Sequence, residues 1–275
     1  MLVTLKEILK IADEKGIAVG AFNAVSMPYV QAIIAAAEEL EQPVILMHAQ
    51  VHEEMALCKM DEVAPMMLWF AKRAKVPVCV HLDHGTDLDY VKHGLELGFT
   101  SVMYDGSNLP AAENIANTKI AVEMAKKTGA SVEAEIGSMG AREGGDGAAA
   151  SVYTDPEQAT AFVNETGIDA LACAFGTAHG FYATAPKLDM ERLSAIYDNI
   201  SVPIVMHGGS GVSEDDYREV IRRGVRKVNY YTYMAKAGAQ AISNKEYTQF
   251  HDVLVDAIAA MKENVKAAMK VFANL

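Results

Sequence analysis

Val-Cys-Val-His-Leu-Asp-His-Gly, residues 78–85, is an apolar run that breaks off into a histidine beside a glycine. The same ending recurs in Gly-Thr-Ala-His-Gly at 176–180 and Val-Met-His-Gly-Gly-Ser-Gly at 205–211. A short apolar run bounded by turn residues reads as a buried strand. His84, His179 and His207 therefore stand at the mouths of strands far apart in sequence. Imidazoles from three strand ends are a common way to hold a divalent metal with one position left open. Asp83 adds a titratable carboxylate at the first mouth.

Outward from these segments the chain repeats one phrase, a β-branched run, a turn and a segment of helical period. Strands are expected at Ile17–Phe22, Val44–Met47, Val76–His81, Thr100–Tyr104, Ser131–Ile136, Ala170–Phe175, Val202–His207 and Lys227–Tyr230. Helical stretches fall between them, for example Tyr29–Leu40, Leu88–Leu97, Ala111–Thr128 and Glu214–Arg223. Pro43, Pro77 and Pro203 break the preceding helix and start an extended run. The runs are nearly continuous in apolar residues, as in a parallel sheet covered on both faces. Eight such units without a low-complexity linker fit an α/β fold of the closed (β/α)8 TIM-barrel type, and an open doubly wound sheet is the competing arrangement. Extra helices are expected at Leu5–Lys15 and Glu246–Ala273, the latter capping the barrel or packing on a second subunit. Residues 1–275 are read as a single domain.

Bulk properties narrow the function. The chain has 275 residues, 51% apolar and 22% charged, enough for a sizeable core. No apolar stretch reaches the roughly 18 residues of a membrane span. The first ten residues alternate charged and apolar positions, unlike the apolar core of a signal peptide. Cys58, Cys79 and Cys173 are odd in number and lack C-x-x-C spacing, so cytoplasm is the expected compartment. A net charge of −12 without a basic cluster argues against nucleic acid and anionic membranes as partners.

In a (β/α)8 barrel the catalytic groups gather at the carboxyl ends of the strands. Asp83, His84, Asp105, Glu135, His179, His207 and Asn229 all close or follow expected strands. Asp105 and Glu135 are candidates to orient the imidazoles or to offer the metal a second position. Imidazole donors favour zinc, with cobalt, manganese and iron also compatible. His81 shares a strand face with Asp83 and is a candidate supporting residue, whereas His48, His52, His93 and His251 read as ordinary surface or core histidines, His52 in a polar loop. Gly208, Gly209 and Ser210 follow the seventh expected strand, and Asn229, Tyr230 and Thr232 the end of the eighth. Barrels commonly build a phosphate site there from backbone N–H groups, and Gly176 and Gly180 beside His179 could close it. The glycine-rich stretch 137–151 hangs over the same rim as a candidate lid carrying Glu143 as a base.

These residues resemble the class II, zinc-dependent ketose-bisphosphate aldolases, the fructose- and tagatose-bisphosphate aldolase family. The resemblance rests on Ala-Phe-Asn (21–23), His-Leu-Asp-His-Gly (81–85), Gly-Phe-Thr-Ser-Val-Met-Tyr-Asp-Gly-Ser (98–107) and Val-Glu-Ala-Glu-Ile-Gly (132–137). It continues through Tyr-Thr-Asp-Pro-Glu-Gln-Ala (153–159), the two later histidine motifs and Lys-Val-Asn (227–229). It implies a carbon–carbon lyase of carbohydrate metabolism, with glycolysis as the process, that cleaves a ketose (bis)phosphate reversibly to dihydroxyacetone phosphate and an aldehyde. By the same resemblance His84, His179 and His207 bind one zinc ion, which stabilises an enediolate as a Lewis acid. Asp83 then exchanges a proton with the aldehyde oxygen, and Glu143 moves the proton at the carbon alpha to the carbonyl. The phosphate rests on Gly180, Gly208, Gly209, Ser210, Asn229, Tyr230 and Thr232, with a monovalent cation (Na+ or K+) nearby, and Asn23 also contacts substrate. A homodimer or homotetramer is implied.

The sequence departs from the family pattern at Gly140-Ala141-Arg142, at Tyr230–Tyr233, and at Met47-His48-Ala49, which lacks the usual hydroxyl side chain. Two other readings stay open on the sequence: a metal-dependent sugar-phosphate epimerase or isomerase, and a non-catalytic aldolase-like subunit. A Schiff-base aldolase is disfavoured, because Lys227 ends its strand beside Asn229 with no desolvating pocket evident.

Overall fold

The computed structural model describes residues 1–137, 152–180 and 185–275. The chain opens with a short strand β1 (Leu2–Val3) and helix α1 (Leu5–Lys15), then enters the repeating units. These are β2 (Val19–Asn23), α2 (Met27–Leu40), β3 (Val44–Ala49), α3 (Gln50–Glu54), α4 (Met60–Arg73), β4 (Val78–Gly85) and α5 (Leu88–Leu97). They continue with β5 (Ser101–Tyr104), α6 (Ala111–Thr128), β6 (Ser131–Ile136), α7 (Pro156–Thr166), β7 (Ala170–Cys173) and α8 (Met190–Tyr197). The last are β8 (Ile204–Met206), α9 (Glu214–Arg222), β9 (Val225–Tyr230), α10 (Thr232–Ile242) and α11 (Phe250–Phe272).

Strands β2 to β9 pair in parallel with their sequence neighbours, and β9 returns to β2 with Ala21 opposite Asn229. The sheet is therefore a closed (β/α)8 barrel and not an open one. The sequence did not signal β1, α3 or α10. Strand β1 pairs with the start of β4, Leu2 opposite Val78; two residues are too few for any periodicity to register. Helix α3 is a five-residue turn directly after β3, shorter than one apolar repeat.

Side chains along each strand alternate between the barrel interior and the surrounding helices. One apolar cluster lies inside: Leu5, Ile8, Leu9 and Ala12 of α1 pack against Val19, Ala21, Ile45, Cys79, Ala170 and Val205. The spacing i, i+3, i+4, i+7 puts one stripe of α1 across the N-terminal mouth of the barrel. A capping box between Thr4 and Glu7 starts that helix, and Gly16 in the left-handed region ends it. The larger cluster lies outside, between the strands and the helical ring.

The long C-terminal helix α11 packs against α2 and α10 on the outside of the β2–β9 seam. Phe272 anchors it with edge-on ring contacts to Tyr217 and Tyr230. Lys262 and Lys266 pair with Glu39 of α2. Among the described residues, no helix is long and apolar enough to cross a membrane.

Candidate active site

Neighbouring residues in a regular strand point to opposite faces, yet Asp83 and His84 both line one pocket. The reason is local. His84 has φ of 47°, in the left-handed region, and the pairing of β4 with β5 shifts register between Leu82 and Gly85. A bulge of this kind re-aims side chains at a strand end, and left-handed histidine costs on the order of 1–3 kcal/mol. The strain turns the imidazole back over the barrel mouth beside Asp83.

There it meets two other rings. One nitrogen each from His84, His179 and His207 lies within a 4.8 Å cluster, and His84 joins Asp105 and Glu135 in a second. Outer hydrogen bonds fix which nitrogen faces inward. His84 donates from Nδ1 to Asp105 Oδ2 (2.7 Å), which turns Nε2 inward, and His207 donates from Nε2 to Glu133 Oε1 (2.8 Å), which turns Nδ1 inward. These two inward nitrogens share a hydrogen bond of 2.8 Å.

The field at the cluster suits a cation. Burial works against the charge on His84, but Asp83 and Asp105 outweigh it and push the imidazole up to about 10. Burial and the neighbouring His84 push His179 down to about 3 and lower His207 as well. Burial and Asp105 hold Glu135 well above the carboxylate range. Its Oε2, 3.8 Å from His207 Nδ1, has no hydrogen-bond partner among the described residues. Three imidazole nitrogens and an orphaned carboxyl oxygen are the donor set a divalent transition metal takes, so the residues present fit such an ion.

Asp83 pairs with this cluster without being one of its ligand groups. Burial would raise its pKa, but His84, His207 and Lys227 together hold the carboxyl well below the usual range. Asn229 Nδ2 donates to Asp83 Oδ1 at 3.0 Å, fixing its orientation from β9.

Beneath the cluster lies a charged layer inside the barrel, and part of it was missed from sequence. Glu133, Lys227, His81 and His207 are all fully buried. Glu133 Oε2 pairs with Lys227 Nζ at 2.8 Å and lies 3.5 Å from His81 Nε2. His81 Nδ1 meets Ser101 Oγ at 2.8 Å. Burial opposes ionisation of Glu133, but Lys227 and the His207 hydrogen bond bring it down to about 2. Lys227 was expected to have no desolvated surroundings; it is in fact wholly buried, and its ammonium is held by Glu133. The signal for both lies in spacing: Glu133/Glu135, His81/Asp83 and Lys227/Asn229 are i, i+2 pairs on one strand face.

The pocket above has a volume of about 330 Å³. Of the expected residues, Asn23, Asp105, Glu135, His179 and Gly180 reach it, as do Gly208, Gly209, Ser210, Asn229, Tyr230 and Thr232. His207 sits fully buried just below it. Glu143 lies outside the described residues. Gly208 has φ of 63°, and a Cβ there would stand 2.4 Å from Ala178 O, so only glycine fits. The first turn of α10 carries no side-chain cap and points its N-terminus at this loop, the usual setting for an anion. Not every N–H is available: Gly209 donates to Asn229 O at 3.2 Å, and Tyr231 donates to Ser210 Oγ at 3.1 Å.

His52 overturns its sequence reading. It lies on α3 and not in a polar loop, is 3% exposed, and lines the same pocket. His48 behaves as a hydrogen-bonded core histidine, with Nε2 2.9 Å from the Tyr90 hydroxyl.

The family model described as fructose-bisphosphate aldolase class-II matches residues 3–274. A fructose-bisphosphate aldolase of Staphylococcus aureus is 38% identical over 280 residues, covering 98% of this chain and 97% of that protein. A 6-phospho-5-dehydro-2-deoxy-D-gluconate aldolase of Halalkalibacterium halodurans is also 38% identical, over 98% of this chain and 96% of its own. Among solved structures, the YdjI aldolase of Escherichia coli K12 superposes with a TM-score of 0.90 at 33% identity, covering 99% of this chain and 97% of that one.

Proposed function

The chain belongs to the class II fructose-bisphosphate aldolase family, and from that membership we propose how its residues divide the work. The protein is an aldolase, a carbon–carbon lyase that cleaves a ketose phosphate reversibly. The family and its aldolase-named members favour this over epimerisation or a non-catalytic subunit. We read residues 1–275 as one catalytic domain.

The class is generally metal-dependent, and zinc is our assignment for His84, His179 and His207. A divalent ion held by these imidazoles supplies Lewis-acid polarisation of the carbonyl of dihydroxyacetone phosphate. Asp83, kept ionised by its cationic neighbours, takes the proton from the C4 hydroxyl in cleavage and returns it to the aldehyde oxygen in condensation. Asn229 holds Asp83 in place for that transfer, and Asp105 and Glu133 hold His84 and His207. The Gly208–Ser210 loop and the head of α10 receive the phosphate, with Gly180, Asn229, Tyr230 and Thr232 around it and Na+ or K+ alongside. Glu143 is assigned the proton alpha to the carbonyl by its resemblance to the family's loop glutamate. We place the protein in the cytoplasm, in carbohydrate metabolism of the glycolytic kind, in agreement with its three free cysteines. A homodimer or homotetramer suits the exposed Phe250 and Val255 of α11.

The observation that carries this reading is the convergence of three imidazole nitrogens within 4.8 Å at the pocket that also holds Asp83. A panel of phosphoketoses assayed before and after chelation tests it. Cleavage is expected to vanish with the metal and return with zinc; cleavage that survives complete metal removal would contradict it. The names of equally similar relatives include a fructose bisphosphate and a sugar acid with a single phospho group, so identity leaves the aldehyde half open.

A further inference from the structure

Lys227 is wholly buried inside the barrel, and the proposed chemistry gives it no part. Its neighbours in register are Val19 on β2 and Val205 on β8. Those of Glu133 are Met103 on β5 and Ala170 on β7. All four belong to the apolar cluster inside the barrel. Two opposite charges, set on β6 and β9 with β7 and β8 between them, therefore leave apolar walls to meet at 2.8 Å. A buried pair of this kind is often no more stable than an apolar pair of similar volume. Its presence here points to a task other than stability.

The task shows at the other carboxylate oxygen. Glu133 Oε1 accepts from His207 Nε2 at 2.8 Å, and that bond turns His207 Nδ1 toward the other imidazoles. The carboxylate keeps this pose only if Oε2 is anchored as well. His81 is a poor anchor. Its Nε2 stands 3.5 Å from Oε2 and its Nδ1 is taken up with Ser101 Oγ at 2.8 Å. Burial also pushes the imidazole down to about 3, so it brings no charge near neutral pH. Lys227 Nζ is closer, at 2.8 Å, and holds Oε2 by charge, since neither atom makes a hydrogen bond among the described residues. Lys227, Glu133 and His207 thus form one chain of contacts from β9 to the metal cluster.

We propose that Lys227 is a positioning residue of the metal centre: it holds Glu133 so that His207 presents Nδ1 to the ion. Lys227 itself touches neither the ion nor the substrate. This rests on the metal-dependent aldolase reading of the site, and the test keeps the two apart. Zinc affinity of the full chain is measured by competition against a chelator for the unmodified protein, Lys227→Met, Glu133→Gln and the double variant. Methionine keeps most of the side-chain length and removes the charge. Cobalt-loaded samples are compared by visible absorption, which reports the geometry around the ion, and circular dichroism reports the fold.

Lys227→Met is expected to fold, to bind zinc about tenfold or more weakly, as when other outer-shell partners are lost, and to shift the cobalt bands. The double variant is expected to bind zinc no more weakly than Glu133→Gln, because a residue that acts through another adds nothing once that other is gone. Unchanged zinc affinity and cobalt bands in Lys227→Met would overturn the inference. So would a double variant weaker than Glu133→Gln by the full effect of Lys227→Met, which would mean that the lysine acts independently. A Lys227→Met chain that does not fold would make the lysine a structural counter-ion and overturn it too. An unmodified protein that takes up no zinc at its imidazoles would overturn the metal reading itself, and this inference with it.

Discussion

At the N-terminal end of the barrel interior, Leu5, Ile8 and Leu9 of α1 meet Val19, Ala21 and Cys79 in an apolar plug. Two positions further along the same strand face, Cys79 gives way to His81 and then Asp83, and on β6 and β9 Glu133 and Lys227 occupy the interior. The strands are the same and the burial is equally complete; only the chemistry changes. The plug holds through removal of apolar surface from water, which is non-directional and tolerant. The charged layer holds only while every partner is present, because a buried charge that loses its counterpart costs several kcal/mol. The barrel thus places stability at one end and a preorganised, strained site at the other, joined by single columns of side chains.

The largest break in that contrast should come from the top. Asp83→Ala is expected to cut turnover by about 10²–10⁴-fold, the scale of general acid–base terms, with metal content unchanged. Steady-state kinetics beside elemental analysis reads both, and normal turnover would remove Asp83 from the chemistry. From the bottom, Leu9→Ala should cost about 2–5 kcal/mol of stability by opening a cavity while leaving metal affinity alone. Urea unfolding and a metal titration on the same variant decide it; a parallel loss of metal affinity would mean the two ends are not separable.

The charged layer itself is probed by Glu133→Gln. Losing the carboxylate behind His207 should weaken metal binding by about 10–100-fold, as other outer-shell partners do. Competition against a chelator measures this. A variant that is destabilised but binds metal normally would reduce Glu133 to a structural counter-ion for Lys227.

The smallest effect is expected outside the barrel, where Lys262 and Lys266 hold the Glu39 carboxyl down to about 2. A depressed carboxyl contributes stability above its unfolded value near 4.5 and loses it as pH falls toward 2. The unmodified chain and Glu39→Gln should therefore differ slightly in denaturation midpoint at neutral pH and converge as pH drops below about 4.5. A gap that widens on acidification would reverse the assigned sign.

This contrast also explains what could be read from the chain alone. The barrel was legible because eight apolar runs alternate with helical periods, and the rim because His84, His179 and His207 each stand at a run's end beside glycine. Helix α1 was expected at its observed bounds, Leu5–Lys15, from its alternating charged and apolar residues, and the structure finds a capping box and a C-terminal glycine at those two ends. Glu133 was given no role within its strand, and Lys227 was weighed only as a Schiff-base lysine and set aside, although their two-residue spacing from Glu135 and Asn229 gave them an inward face. His52 was illegible for a different reason. Its burial depends on α3, a turn held by Glu53, Tyr90 and Gln50 through contacts 36 or 37 residues apart in sequence, which no local pattern records. The left-handed backbone at His84 was equally hidden, because nothing in Asp-His-Gly states which residue takes the bend.

The central claim is that the three strand-end imidazoles form a metal centre. X-ray absorption at the zinc edge of protein loaded with one equivalent tests it most directly. The account predicts three imidazole nitrogens at about 2.0–2.1 Å, an oxygen from solvent or carboxylate, and loss of this signature in His84→Ala. A shell of sulfur, or of oxygen alone, or one unchanged by His84→Ala, would contradict it.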